Sequence, residues 1–540
     1  MSTTQTIKMP PVAKLRGIIK KHSSFVILCV LFTVVTTILS CTSFAHQINP
    51  DATSYFTIAE KYAHFDIRHA INGYWAPMLS WLLVPAIWMH LEVDITARLI
   101  DILASLGILA VVYRFLLHRG ASRHVGFITA TFLALNFVDW ILIGPVTPDL
   151  LFSFFVLLFI LGCDAFLTKP GTRNGVLVGI SGAAMYYTKG FGFYLFIAII
   201  ALLFLWQTWQ SRKHLMSVIK AYIPVIAIFL VLTLPFIILI SIKYGYPTVS
   251  NAGAYDHKVF SPAMQGGQPM LTSGPLAPPN PTADTIWEDP SKMIKLMPSW
   301  SPLQSSLDLS YFVHQVVENN LGVSLEAMYG FGAAAIAGVL LSIVGCLQKK
   351  NRQLYLLFVL VGAIEVIGYS VIYTESRYLW SIALTASIAF GLWLSQLETR
   401  RVFNNRQVIV ACGILFVILF VPLIGHVQQA KVGSSRSFEQ AVAIGEFIPR
   451  GSRAIGDNFA LYYPCYYLQL HCYSVLETPL PGTGPAYAQL LKNDGIAYYI
   501  DFHTRDNDPR LTAFVSIYFR KVGNVNPIPP DGPITIYKLK

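Results

Sequence analysis

Residues 175–206 read GVLVGISGAAMYYTKGFGFYLFIAIIALLFLW, an apolar run of 32 residues interrupted once by charge, at Thr188-Lys189-Gly190. A spanning helix needs roughly 20 mostly apolar residues, because the hydrocarbon is about 30 Å thick and a helix rises about 1.5 Å per residue. The run is too long for one upright span and long enough for two short ones. As one tilted helix it would leave Lys189 in lipid, at a cost of about 2.5–3.5 kcal/mol or more. As a hairpin it turns at Lys189 and sets that lysine at a membrane face. The hairpin is the reading that costs less.

Similar runs lie to either side. Residues 25–44, 96–117, 125–142, 149–167, 222–242, 329–347, 354–373, 378–397 and 408–427 are each apolar enough to span. Residues 78–91 are apolar but too short, which favours an interfacial or re-entrant helix over a span. With the hairpin this predicts eleven spans in a mainly α, polytopic membrane protein. Residues 25–44 exceed the usual apolar length of a signal peptide, so despite Ser43-Phe44-Ala45 they are read as a retained anchor.

Composition agrees: 54% of the 540 residues are hydrophobic and 12% charged, with a net charge of +11. Soluble domains carry about 25% charged residues. A disordered chain, a disulfide scaffold and an ordinary soluble enzyme are excluded. The basic excess suggests nucleic acid or membrane until it is mapped. Residues 1–22, 114–124, 168–174, 207–221, 348–353 and 398–407 hold 19 Lys and Arg in 71 positions. The alternate connections, 45–95, 143–148, 243–323, 374–377 and 428–540, hold 18 in 255. The positive-inside rule then puts the N-terminus in the cytoplasm and the C-terminal region outside, and the expected location is the plasma (inner) membrane. Nucleic acid is no longer needed to explain the charge.

Three parts follow: a cytoplasmic segment 1–24, a membrane domain 25–427 with outer loops 45–95 and 243–323, and an outer domain 428–540. Residues 261–281, SPAMQGGQPMLTSGPLAPPNP, read as irregular coil. The last part reads as small α/β, with strands at 453–456, 473–476, 496–502, 514–519 and 534–539 and a helix at 486–493. Its many tyrosines suit strand faces, and sugar stacking as well. Five of seven cysteines lie in spans, whereas Cys465 and Cys472 lie outside, where a bridge is possible. There is no HExxH, CxxC, Walker A or Rossmann glycine motif, so no metal site is argued and no cofactor is expected, with a divalent cation left open.

Four outer connections carry the informative charges: Asp51-Ala-Thr-Ser-Tyr55, Pro148-Asp149, Thr188-Lys189-Gly190 and Glu375-Ser-Arg377-Tyr378. Each has a plain structural explanation. Asp51 and Asp149 stand where helix caps stand. Lys189 can snorkel to the interface. Arg377 can pair with Glu375 or with a lipid phosphate. Together they place two carboxylates and two cations at one membrane depth. A carboxylate can orient or deprotonate an acceptor hydroxyl, and Lys and Arg can stabilise a leaving phosphate. That set suits transfer of a sugar from a lipid-linked phosphate.

At these residues the chain resembles the GT-C membrane glycosyltransferases that use polyprenyl-phosphate sugars, in the protein O-mannosyltransferase and aminoarabinose transferase group (glycosyltransferase family 39-like). Residues 51–85, DATSYFTIAEKYAHFDIRHAINGYWAPMLSWLLVP, are similar to that family's first outer loop, and Pro77-Met-Leu79 to its juxtamembrane Pro-x-Leu element. Pro148-Asp149, Lys189-Gly190 and Arg377-Tyr378 resemble its second acidic motif, lysine-glycine turn and late Arg-Tyr motif. The resemblance implies Asp51 as catalytic carboxylate, with Asp149 in the catalytic set supporting the acceptor or the first loop. It implies Lys189, Arg377 and, more weakly, Arg68 and His69 on the donor phosphate. Tyr55, Tyr74, Trp75, Glu375 and Tyr378 would line the sugar and acceptor pocket. It further implies inverting transfer from a polyprenyl-phosphate-linked sugar to an envelope lipid, glycan or protein. The competing readings are a flippase of lipid-linked saccharide, which would place charges near the bilayer centre, and a non-catalytic membrane scaffold.

Overall fold

The computed structural model describes residues 20–144, 146–210, 214–265, 267, 269, 275–325, 333–349, 351–401, 405–431, 435–475, 484–504, 508–526 and 532–540. Among these, eight helices are long and apolar enough to cross a membrane. They are Ser23–Cys41, Val93–His118, Arg123–Leu142, Asp149–Thr168, Phe191–Gln210, Leu215–Tyr244, Arg352–Ser370 and Ser376–Thr399. The chain is an integral membrane protein. The other three expected spans fall on Thr172–Thr188, of 17 residues, Ala333–Gly345, of 13, and Asn405–Lys431. Residues 326–332, where the eighth expected span begins, lie outside the described set.

The hairpin forms as expected. Thr172–Thr188 ends where Lys189 turns extended, at φ −152° and ψ 129°, and Phe191–Gln210 starts two residues later. Gly190 has a local reason: a Cβ there would strike the Ser250 side chain. Small residues also let membrane helices approach closely. A Cβ at Gly179 would lie 2.7 Å from the Val225 carbonyl, which is why Thr172–Thr188 can pack along Leu215–Tyr244. Leu215–Tyr244 then stops at Gly245, whose φ of 78° suits glycine.

Three of the connections expected on the cytoplasmic side meet. Arg123 donates to the Lys21 carbonyl (3.0 Å) and Arg119 to Asn351 (2.8 Å), joining the N-terminal segment to two of the basic connections at one end of the bundle. The four acidic and basic motif stretches meet at the other end.

There the chain lays two helices outside the bundle. Pro50–Ala63 is capped by Asn49, whose side chain accepts from the Ala52 amide at 3.2 Å, with Pro50 preset for the first turn. Met78–Trp88 has 11 residues and is about 16 Å long, half of a span. It packs on Pro50–Ala63 and leaves Trp81, Leu82 and Trp88 exposed, as an interfacial helix does.

The loop 243–323 is more ordered than its composition predicts. It forms the helices Ala252–Val259 and Ser306–His314 and two 3₁₀ segments, Ile286–Glu288 and Pro290–Leu296. Residues 275–281 are irregular, as expected.

The last domain is a five-stranded sheet in the order β2-β1-β3-β5-β4. The strands are β1 Arg453–Gly456, β2 His471–Cys472, β3 Tyr498–Asp501, β4 Phe519–Val525 and β5 Ile534–Leu539. The first three are parallel, and β5 and β4 add antiparallel. Alternate residues serve two cores. Ile455 and Tyr499 face the helices Gly484–Asn493 and Pro509–Tyr518. Ala454 and Ile500 face a continuous cluster that includes Tyr55, Trp75 and Trp287 of the two outer loops. The domain is thereby packed into the scaffold of the membrane-side loops.

Two strand expectations need correction. Residues 514–518 are helical, not extended. Asp508 caps Pro509–Tyr518, and Leu511, Phe514 and Val515 are buried at helical spacing. The strand expected at 473–476 is instead His471–Cys472, because the Ser474 amide leaves the sheet to bond the Leu276 carbonyl at 3.0 Å. Cys465 and Cys472 form a disulfide.

Candidate active site

The four motif stretches surround one cavity of about 290 Å³. Asp51, Tyr55, Tyr74, Trp75, Asp149, Lys189, Glu375, Arg377 and Tyr378 all line it. Because Asn49 takes the capping role, the Asp51 carboxylate is free to point inward. Arg377 donates to its Oδ2 from Nη2 at 2.9 Å, and Trp287 donates to its Oδ1 from Nε1 at 3.2 Å.

Asp149 likewise makes no cap hydrogen bond through its side chain. It accepts from Lys189 Nζ and Thr147 Oγ1, both at 2.6 Å, and Arg377 Nε lies 3.8 Å away. Arg377 thus sits between both aspartates, with Glu375 at 2.7 Å on its Nε edge. Lys189 does not snorkel to solvent. Its ammonium lies 3.4 Å from the Tyr378 ring centre and 5.0 Å from that of Tyr369, which is a cation–π seat. Burial raises the Glu375 carboxyl above the usual range, against the pull of Arg377.

Arg68 and His69, the weaker phosphate candidates, are not brought to the cavity with the other candidates. They belong to a single helical turn, Ile67–Ala70, and do not line the cavity. His69 bonds Asp66 at 2.8 Å and Arg68 is exposed. The short helix ends before the chain reaches the cavity at Tyr74.

Several lining residues carry no signal in the sequence. Trp287 comes from loop 243–323, and its carbonyl accepts from Ser54 Oγ (3.1 Å) and Trp75 Nε1 (3.0 Å). Asp256, on Ala252–Val259, receives a 3.3 Å hydrogen bond from the Tyr74 hydroxyl. Burial pushes its carboxyl up to about 7. Phe459 reaches in from the C-terminal domain. Phe191, Tyr194, Gly368 and Ile372 line the side formed by two membrane helices, and Tyr194 is half-exposed on the outside of the bundle. Among the described residues, no group of three or more His, Cys, Asp or Glu is arranged to hold a metal ion.

The arrangement offers a chemistry. Two paired cations can receive one phosphate, a carboxylate stands beside them, and aromatic walls from both outer loops enclose the space. Outside the cavity, Glu365 is buried in mid-span and accepts from Ser381 Oγ at 2.5 Å.

Comparison with known proteins gives the same direction. The sequence model of the dolichyl-phosphate-mannose-protein mannosyltransferase family matches residues 75–239. That range includes Asp149 and Lys189 and leaves Asp51 and Arg377 outside. No curated protein matches the sequence. Among solved structures, ArnT from Cupriavidus metallidurans in its apo state aligns over 94% of this chain and 97% of its own, at 13% identity and a TM-score of 0.54. The same protein bound to undecaprenyl phosphate aligns over the same shares, at 13% identity and a TM-score of 0.52. In fold, and in sequence over residues 75–239, the chain is similar to the GT-C membrane glycosyltransferases of the protein mannosyltransferase and ArnT type.

Proposed function

We propose that the protein transfers a sugar from a polyprenyl-phosphate donor to a hydroxyl of an envelope lipid, glycan or protein, on the extracytoplasmic face. The observation that carries this is the convergence of Asp51, Asp149, Lys189 and Arg377 on one cavity beside the membrane helices. ArnT, of the same fold, has been seen with undecaprenyl phosphate.

In this reading the donor phosphate takes Lys189 and Arg377, which Asp149, Asp51 and Glu375 hold in place while the site is empty. The polyprenyl chain leaves past Phe191 and Tyr194 into lipid. The cavity, at about 290 Å³, is at the small end of ligand pockets, which run from about 300 to 1,000 Å³. It fits a sugar and its phosphate rather than the lipid tail. The acceptor hydroxyl donates to Asp51 and attacks the anomeric carbon from the face opposite the phosphate. The bond from that carbon to the phosphate oxygen breaks as the new one forms, which inverts the centre, and the proton passes to Asp51. The leaving phosphate is already a stable anion, so it needs charge stabilisation rather than protonation.

Mass spectrometry of lipid-linked sugars with and without the protein tests this. One polyprenyl-phosphate sugar accumulates in its absence, with loss of that sugar from an envelope acceptor. No change in either pool refutes the assignment.

A further inference from the structure

The cavity holds one carboxylate that the phosphate chemistry leaves unused. Asp51 lies 2.9 Å from Arg377, Asp149 lies 2.6 Å from Lys189, and Glu375 lies 2.7 Å from Arg377. Asp256 pairs with no cation among the described residues. Its hydrogen bond is the one from Tyr74, at 3.3 Å.

This exception is built rigidly. The Tyr74 ring packs against Trp75, Tyr255 and Trp287, with centres 4.5, 5.4 and 5.6 Å away. The helix carrying Asp256 is fixed at its start by the Asn251 amide on the Gly73 carbonyl, at 2.6 Å. It is fixed at its end by Lys258 on the Ile294 and Met297 carbonyls, at 3.1 and 3.3 Å. Asp256 is half-buried in the cavity wall, and a carboxylate drawn partly out of water without a cation is favoured by any donor that reaches it. A phosphate cannot supply such donors, since it brings only acceptors and repels a carboxylate. A sugar can, because adjacent hydroxyls present two O–H donors to one carboxylate.

We infer that Asp256, held by Tyr74, reads the donor sugar by accepting hydrogen bonds from its hydroxyls, and so sets which sugar is transferred. This rests on the polyprenyl-phosphate reading above. It gives the donor a direction in the cavity, with phosphate on Lys189 and Arg377 and the sugar's polar edge on Asp256. Sites built to bond a substrate hydroxyl discriminate strongly against analogues that lack it, because the buried partner is then left unpaired.

The test is binding to the full-length protein in lipid nanodiscs. The probes are undecaprenyl phosphate itself and a panel of undecaprenyl-phosphate monosaccharides: hexose, 6-deoxyhexose, pentose and aminopentose. Wild type is expected to hold at least one panel member more tightly than bare undecaprenyl phosphate. Asp256→Asn is expected to lose that advantage by roughly 10- to 100-fold, the worth of hydrogen bonds to a charged group, while binding bare undecaprenyl phosphate as wild type does. Tyr74→Phe, which removes the tether and keeps the ring, is expected to lose part of the advantage. If Asp256→Asn keeps the full preference of wild type, the assignment is overturned. It is equally overturned if Asp256→Asn loses bare undecaprenyl phosphate to the same degree while Tyr74→Phe keeps the full preference. If wild type binds neither the bare lipid nor any panel member, the polyprenyl-phosphate reading fails and this one with it.

Discussion

Asp51 and Asp149 both begin helices, and neither is spent on capping. Asn49 caps one helix, and the other has no side-chain cap. Their carboxylates are instead held by Arg377, Lys189 and Trp287. Lys189→Met removes one phosphate partner and its seat on Tyr378. Undecaprenyl phosphate binding should weaken by roughly 10- to 100-fold, measured by titration in nanodiscs. A second consequence concerns Asp256. Burial raises its carboxyl to about 7, Glu375 and Asp51 add to the effect, and Tyr74 and Lys189 oppose it. The unfolded chain ionises this group near 4, so the folded protein holds the extra proton between those values. Stability therefore falls as pH rises from about 4 to 7 and this contribution is flat above. Asp256→Asn lacks that titration. Thermal unfolding of the empty protein should show the variant gaining on wild type over that window. The four motif charges were legible because ionisable residues beside apolar runs are conspicuous. Asp256 and Trp287 were not, since they stand in a polar loop, and Trp287 meets Asp51 across 236 residues.

At the scale of elements, the site depends on one loop being clamped on another. Lys61 of Pro50–Ala63 is buried with Glu288 at 2.7 Å, and also reaches the Thr282 carbonyl at 3.0 Å. Asn72 donates to the Glu288 carbonyl at 2.7 Å, and Tyr244 to Asp289 at 2.8 Å. Removing one partner of a buried pair leaves the other uncompensated. Lys61→Met should cost about 3–5 kcal/mol and raise amide exchange across residues 276–297. The double variant Lys61→Met/Glu288→Leu should recover part of the loss, read from the same unfolding and exchange measurements. The membrane hairpin was legible because a lone lysine in a long apolar run has few places to be. The segment 514–518 was misread because its Phe, Val, Ile and Tyr favour strands, while the Asp508-Pro509 cap and the buried spacing favour a helix. Loop 243–323 offers no period at all, and its order comes from contacts with the first outer loop and with the C-terminal domain.

For the molecule as a whole, the charge asymmetry predicts which end of the bundle faces the cytoplasm. Phe65 is exposed in the first outer loop, and Arg173 belongs to a basic connection. In a background without other free cysteines, Phe65→Cys should react with an impermeant thiol reagent from outside, and Arg173→Cys only after the cytoplasm is opened. The reverse pattern moves the site to the cytoplasmic face. The C-terminal domain could be read from sequence as a separate unit of strands and helices. Its packing on the site was hidden, because the residues that make it, such as Ala454 and Ile500, look like any other strand interior. The central claim is that this cavity, through Asp51, moves a sugar off a polyprenyl phosphate. Cells whose only copy is Asp51→Asn, made at wild-type level, test it most directly by mass spectrometry of their lipid-linked sugars. The variant should accumulate the same polyprenyl-phosphate sugar as cells lacking the protein, since a carboxylate acting as general base is worth about 10²–10⁴ in rate. A lipid-linked pool indistinguishable from wild type would contradict the account.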